Sequence, residues 1–430
     1  MRRHALVTTT AALTLAATML HAPADARSKT PTATEHVTFT RWDFGDGDPV
    51  GGSHSGTAVS GGALTMTTPS GTRSYDDPFD PGGAATYEQS SWTSPLVDPS
   101  FGITELVASW NAHTPGGSWI EVSVQGVADG VASKSYVLGR WADHDVSTPA
   151  FHPTSQGGQG DELATVSIDT LVALNEHTFD DYRITVSLLR PAGSSATPTV
   201  DMVGAMASNV PEVKKIVAPP TTMTQAEVLD VPTYSQEVHI GHYPEWDNGG
   251  EAWCSPTSTA MVLDYWGSGP SEADLAWIPA DHVDPQVDHA ARHTFDYNYD
   301  GAGNWPFNTA YAGTFGLESF VTRLRDLTEA EAMIKAGIPV VTSVSFKKSD
   351  LDGAGYGTNG HLMTIVGFTA DGDVVVNDPA SHLIPSNDEV RVTYDRQQFT
   401  EAWIGHTGGI AYVIHPESAP LPPAGAEANW

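Results

Sequence analysis

Alternation of apolar and polar positions dominates the first half of the chain and fades in the second. Between about His36 and Val210 the runs "ELVASWNA", "SWIEVSVQGV", "KSYVLGRW" and "YRITVSLLR" each read as a strand of period two. Turn clusters such as Thr114-Pro115-Gly116-Gly117 separate them, and no amphipathic helix interrupts them. Short strands at this spacing predict an all-β sandwich or jelly roll over residues 36–210. Trp42, Trp110, Trp119 and Trp141 fall within this region. They read either as core residues or as a carbohydrate-binding platform, with core the ordinary fate of tryptophan in such strands.

The stretch "VPEVKKIVAPPTTMTQAEV", residues 211–228 with its flanking valine, has no periodicity. Pro219-Pro220 followed by threonines predicts an exposed, stiff linker. Beyond it, from 229 to 415, helical and strand patterns mix, as expected of an α+β domain. Ser255-Pro256 predicts a helix start, with Ala260, Met261, Val262 and Tyr265 as its apolar face and Gly267 as its stop. "YGTNGHLMTIVGF", the turn "TADGD" and "VVVNDPAS" predict a hairpin. The final residues 416–430, "PESAPLPPAGAEANW", have a disordered composition.

Three compositional features narrow the function. Met1-Arg2-Arg3-His4, the uncharged apolar run Ala5 to Leu20 and Ala24-Asp25-Ala26 predict a signal peptide over residues 1–26 and an extracellular, secreted product. No later run is long and apolar enough to span a bilayer. Lys+Arg total 20 against 52 Asp+Glu, a net charge of -32. Such a chain repels phosphate backbones and anionic membranes, so neither nucleic acid nor membrane is an expected partner.

The third feature is a single cysteine, Cys254, with nothing in the chain to pair it. It reads as a buried small hydrophobe, an intermolecular disulfide partner or a catalytic thiol. Its place at a helix mouth, beside unpaired amides and the positive end of the dipole, favours thiolate and shifts the reading to catalysis. A thiolate needs a base and an orienter for that base. Among 17 histidines, His361 stands out, between a glycine-rich loop and an apolar strand. Asp378, at the end of the returning strand, can hold the second imidazole nitrogen. A regular hairpin centred on Asp371-Gly372 sets Asp378 opposite Ile365, on the correct face but too far along, so a twist or bulge is required.

"VPTYSQ", "WCSPTSTAMVLDYW", "GHLMTIVGF" and "VVVNDPAS", in that order, resemble the bacteriocin-processing (double-glycine) group of papain-like cysteine peptidases, family thirty-nine. The resemblance spans roughly Leu229 to His415. It is nearest to secreted actinobacterial members that carry a β-rich N-terminal region. It implies a papain-like α+β fold for the second domain. It also implies Cys254 as nucleophile, His361 as base and acid, Asp378 as orienter and Gln236 as oxyanion-hole donor. Two departures stand out: Ser255 replaces the usual glycine, and "EVHIGHYPEWDNGGEAW" lengthens the gap from Gln236 to Cys254. Trp305, Trp253 and Asn359 are candidate substrate contacts.

The resemblance thus implies hydrolysis of a peptide or protein substrate through an acyl-enzyme. The alternatives are a non-catalytic protein that binds glycan or cell wall through its β-domain, and a thiol amidase or acyltransferase acting on cell wall. No metal or cofactor is expected. "DYNYDGAGNW" has the Asp296, Asn298, Asp300, Gly301 spacing of a calcium loop, but Phe307 replaces the closing glutamate. "HAARH", His289 to His293, lacks the glutamate of a zincin helix and reads as surface histidines.

Overall fold

All four alternating runs form strands. In the computed structural model, which describes residues 35–143, 146–147, 149–211 and 215–430, they lie in two antiparallel sheets. The signal-peptide expectation, residues 1–26, lies outside the described residues. One sheet runs in the order Ala164–Ser167, Thr170–Ala173, Glu105–His113, Thr199–Asn209, Ala63–Met66, Thr57–Ser60, with His36–Asp43 also along Thr199–Asn209. The other runs Ser53–Ser55, Ala85–Thr93, Asp181–Pro191, Trp119–Ala128, Val131–Trp141, with Gly71–Tyr75 also paired to Ala85–Thr93. Side chains from both sheets share one core, including Trp42, Leu106, Trp110 and Val203 from the first and Trp92, Val122, Trp141 and Ile184 from the second. Trp110, Trp119 and Trp141 are fully buried and Trp42 nearly so, so the carbohydrate-platform reading fails. Their rings pack among aromatic and aliphatic neighbours, which is where large apolar area stabilises most.

The second domain is built on an antiparallel sheet in the order Glu318–Arg323, Ile410–His415, Val340–Phe346, Thr358–Phe368, Val374–Asn377, Arg391–Tyr394. Five helices accompany it: α1 (Cys254–Tyr265), α2 (Pro285–Thr294), α3 (Trp305–Gly313), α4 (Leu327–Lys335) and α5 (Arg396–Thr407). Helix α1 is buried from Ser255 to Leu263, polar residues included, because it is enclosed on all sides. Among the described residues, no helix is long and apolar enough to cross a membrane.

The two domains share a core. Val37, Phe39, Val107, Met202 and Met206 of the first belong to the same buried cluster as Phe320, Val321 and Leu324 of the second. Phe39 stacks on Phe320 at 4.5 Å between ring centres. Asn111 Nδ2 donates to Ser319 O at 3.0 Å, and Val321 N donates to Ser109 Oγ at 2.9 Å.

Two stretches depart from expectation. The linker, where described, is not exposed chain: Thr221 Oγ1 and Thr222 N donate to the Glu331 carboxylate at 2.6 and 2.7 Å, and Arg396 Nε donates to Pro219 O at 2.8 Å. Its threonines look solvent-facing in sequence, yet they satisfy a fully buried acid. The tail is also not disordered. Phe39 N donates to Ala428 O at 2.8 Å, and Asn429 is fully buried, its Nδ2 donating to Arg323 O at 2.7 Å. Composition averages over such single anchoring residues and therefore misses them.

Candidate active site

Cys254 is the first residue of α1, half-buried, with Trp253 as N-cap. The expected cap, Ser255, does something else. Its hydroxyl meets Tyr412 Oη at 2.9 Å, tying the helix start to the sheet. Ser258 Oγ donates to Leu362 O at 3.2 Å, so the next turn of α1 is held against the strand that carries His361.

His361 lies in Thr358–Phe368, where burial begins; Asn359 and Gly360 before it are exposed. Its Nε2 hydrogen-bonds Asp378 Oδ1 at 2.8 Å, and the Cys254 sulfur is close enough to act on the same ring electrostatically. With Nε2 occupied by Asp378, Nδ1 is the nitrogen left for the thiol. Burial by itself would depress the imidazole. Attraction to the Cys254 sulfur, followed by that to Asp378, outweighs burial and holds His361 up at about 10.

Asp378 is fully buried and heavily satisfied. Besides His361, its carboxylate accepts from Tyr356 Oη at 2.9 Å, Tyr394 Oη at 2.8 Å and Ala380 N at 3.0 Å. Burial raises its pKa, but His361 and these donors more than offset that, leaving it below the usual carboxylate value. The two tyrosine hydroxyls are pushed well up by burial and by the carboxylate they face, so they remain donors. Sequence reading missed both tyrosines. Nothing in the period of their segments separates them from ordinary core tyrosines.

Gln236 opens a 3-10 turn, Gln236–His239, and is almost fully buried. Its backbone N donates to Pro379 O at 3.0 Å, beside Asp378. Its Nε2 donates to Glu251 O at 2.6 Å, three residues before Cys254. Gln236 therefore links the Asp378 loop, through its backbone, to the nucleophile's approach, through its side-chain amide, which has one N–H already engaged.

The candidate substrate contacts fare differently. Trp253 is fully buried, its Nε1 donating to Trp246 O at 2.8 Å, and cannot meet a substrate. Trp305 is half-buried at the start of α3, and Asn359 is exposed two residues before His361.

Asp169, which sequence reading did not single out, sits at the hairpin tip of the β-domain between Ala164–Ser167 and Thr170–Ala173. Its Oδ2 accepts from Trp305 N at 2.8 Å. Asp169 and Cys254 both bear electrostatically on Tyr299 and Tyr412. Its partner lies in the other domain, so no local pattern announces it.

The calcium-like loop is closed by its own side chains. Asp296 Oδ1 accepts from Ser155 N and Asn298 N, and Oδ2 from Asn304 Nδ2, leaving an internally satisfied turn. His289 and His293 stack at 4.0 Å; His289 is buried rather than on the surface, and pairs with Tyr311 Oη at 2.8 Å.

Comparison with known proteins gives the following. Residues 49–208 match the family model described as peptidase C39 N-terminal domain, and residues 228–410 match the Peptidase_C39 like family. No curated protein matches. A solved structure described as a putative C39-like peptidase from Bacillus anthracis is 20% identical over 44% of this chain and 97% of that one, with a TM-score of 0.28. A fragment of prointerpain A from Prevotella intermedia is 14% identical over 49% of this chain and 77% of that one, with a TM-score of 0.29. Through its two matched segments the chain belongs to the peptidase C39 group, a C39 N-terminal domain joined to a C39-like domain.

Proposed function

We propose that this protein is a secreted, papain-like cysteine peptidase that hydrolyses peptide bonds through Cys254, His361 and Asp378. The observation that carries the reading is the buried Asp378–His361 Nε2 contact at 2.8 Å, with the Cys254 sulfur acting on the same ring. The sulfur attacks the scissile carbonyl carbon, and the carbonyl electron pair moves onto its oxygen. The backbone N–H of Cys254 and the second N–H of the Gln236 amide stabilise that oxyanion. Collapse breaks the C–N bond, with the imidazolium of His361 giving its proton to the departing amine. Water then attacks the thioester, His361 takes the proton, and the carboxylic acid leaves with the thiol restored. Asp378 keeps the ring oriented and stabilises its charged form.

Export rests on the apolar segment Ala5 to Leu20. Glycan binding by the β-domain loses its motivation, because the tryptophans offered for it are buried. The test is a thiol-reactive peptide probe with a mixed peptide library, applied to the secreted wild type, Cys254→Ala and His361→Ala. Labelling and cleavage should occur in the wild type only. Cleavage that survives Cys254→Ala would sink the reading.

A further inference from the structure

The segment between Gln236 and Cys254, longer than the family pattern, carries two histidines three residues apart, His239 and His242. Both turn Nδ1 toward Asp288 on α2. The distances are 3.2 Å from His239 Nδ1 to Oδ2 and 2.9 Å from His242 Nδ1 to Oδ1. The ligand atoms of all three residues lie within 4.8 Å of one another, the only such His/Cys/Asp/Glu group among the described residues. We propose that His239, His242 and Asp288 form a zinc-class divalent metal site that locks this segment onto α2.

Four observations support it. First, the spacing fits. Zn–N and Zn–O bonds of roughly 2.0–2.2 Å in a tetrahedron set neighbouring ligand atoms about 3.3 Å apart. Second, the imidazole planes of His239 and His242 are nearly perpendicular, at 88°, so both can converge on one point without stacking. His282 stacks on His242 at 3.5 Å and 13°, which fixes the ring but keeps its own plane off that point. Third, Asp288 is fully buried, and its ion-pair partners among the described residues are imidazoles alone, with no lysine or arginine. A dication seated among these ligand atoms would balance such a carboxylate directly. Fourth, access exists: the side chains of His242 and His282 keep about a fifth of their surface exposed, at 20% and 18%. Two imidazoles and a carboxylate are a borderline donor set, suited to zinc and its neighbours rather than to calcium or magnesium.

The site's consequence for the enzyme is positional. His239 ends the 3-10 turn that Gln236 begins, and its ring lies 6.0 Å from that of Trp253, the residue before the nucleophile. An ion held there ties the Gln236 end of the segment to α2, beside Trp253.

The experiment uses the full secreted chain carrying Cys254→Ala, so that neither the thiol nor turnover contributes. After stripping with dipicolinate, it is loaded with Zn(II) or Co(II), desalted and assayed for bound metal, cobalt absorption bands and melting temperature. One retained ion per chain, a cobalt spectrum of low-symmetry ligand-field bands and a raised melting temperature are expected. His242→Ala and Asp288→Asn should weaken retention by more than the roughly 10–100-fold that loss of a ligand's hydrogen-bonding partner costs. His406→Ala, an exposed histidine on α5, should not. His242 is partly exposed, so its variant should fold as judged by circular dichroism even if Asp288→Asn does not. Equal retention in His242→Ala, or none in the parent chain, would mean that Asp288 is held by imidazole hydrogen bonds alone and would overturn the proposal. Neither outcome depends on the peptidase reading.

Discussion

His361 and Asp378 meet across a bulged hairpin. The ladder between Thr358–Phe368 and Val374–Asn377 shifts register between Ile365 and Gly367, so that Asn377 pairs with Thr364. Asp378 then continues abreast of Met363, one diagonal step from His361 on the same face, and the side chains close to 2.8 Å. Gly367 lies beside the bulge, where the strand Glu227–Val228 joins the ladder. A Cβ at Gly367 would come within 2.6 Å of Val228 Cα. The same glycine thus admits the incoming strand at the point where the bulge aims Asp378.

That register separates the neighbouring residues Asn377 and Asp378 into two roles. Asn377 faces away: its Nδ2 donates to Pro232 O at 2.9 Å, and its Oδ1 accepts from Arg391 Nε at 3.0 Å. Asp378→Ala should lose roughly a hundredfold or more in kcat, as expected for an orienting carboxylate. Asn377→Ala should cost about 1–3 kcal/mol in stability for its abandoned buried partners, with kcat per folded molecule close to wild type. Steady-state kinetics and urea melts on both variants decide it, and the opposite ranking would place the orienter at Asn377.

The raised pKa of His361 fixes the alkaline side of the pH profile. The folded state holds the imidazolium up to about 10, above the ordinary value of 6.5. The stability this gives is fully present below about 6.5 and is lost as pH rises through about 10. Acylation needs the imidazolium to protonate the leaving amine, so kcat/KM should fall across the same upper limit. Asp378→Asn removes a charge that raises His361 and should move the alkaline limb to lower pH. An alkaline limb in the same place for both proteins would detach it from this pair.

Much of this site was legible because it is local in sequence. A cysteine at a helix start and a histidine entering an apolar strand are patterns of ten or so residues. Even the need for a bulge followed from counting across the turn. What escaped is what is assembled from distant chain. Tyr356 and Tyr394 converge on Asp378 from separate segments, and Asp169 arrives from the other domain. Asp288 lies on α2, far along the chain from His239 and His242, so the histidine pair alone did not read as a ligand set. Trp253 was a candidate substrate contact, yet as the N-cap of α1 it is fully buried in the core.

The strap formed by the presumptive linker makes Glu331 a stability anchor. Its buried carboxylate accepts from Thr221, Thr222 and Arg396, the last at 2.7 Å. Glu331→Ala removes the guanidinium's counter-ion and the acceptor of the threonine donors and should cost about 3–5 kcal/mol, the usual range for breaking a buried pair. Limited proteolysis should report it locally: the wild type resists cleavage between residues 216 and 228, and the variant is cut there first. Equal cleavage in both proteins would show the strap to be loose in solution.

Asp169 predicts a pH-dependent cost at the junction of the two domains. Burial raises its carboxyl from 3.8 to about 7, the hydrogen bonds from Trp305 N and the Thr170 hydroxyl oppose that, and the nearby Asp296 charge adds to it. Between about pH 4 and pH 7 the folded protein keeps a proton that the unfolded chain releases. Stability from this group therefore falls as pH rises through that window and stays reduced above it. A shift of this size corresponds to at most roughly 4 kcal/mol, at about 1.4 kcal/mol per unit. Asp169→Asn preserves an oxygen to accept from Trp305 N and removes the titration. Near pH 4 the two proteins should melt alike. By pH 8 the variant should be the more stable, and the difference should grow between those limits. Thermal melts at successive pH values measure it directly, and parallel curves would mean that Asp169 titrates as an ordinary exposed acid. Because the carboxylate caps the Trp305 end of α3 while sharing its field with Cys254, the same variant should leave kcat nearly unchanged below pH 6. There Asp169 is already neutral, so any rate effect should appear only as the wild type ionises.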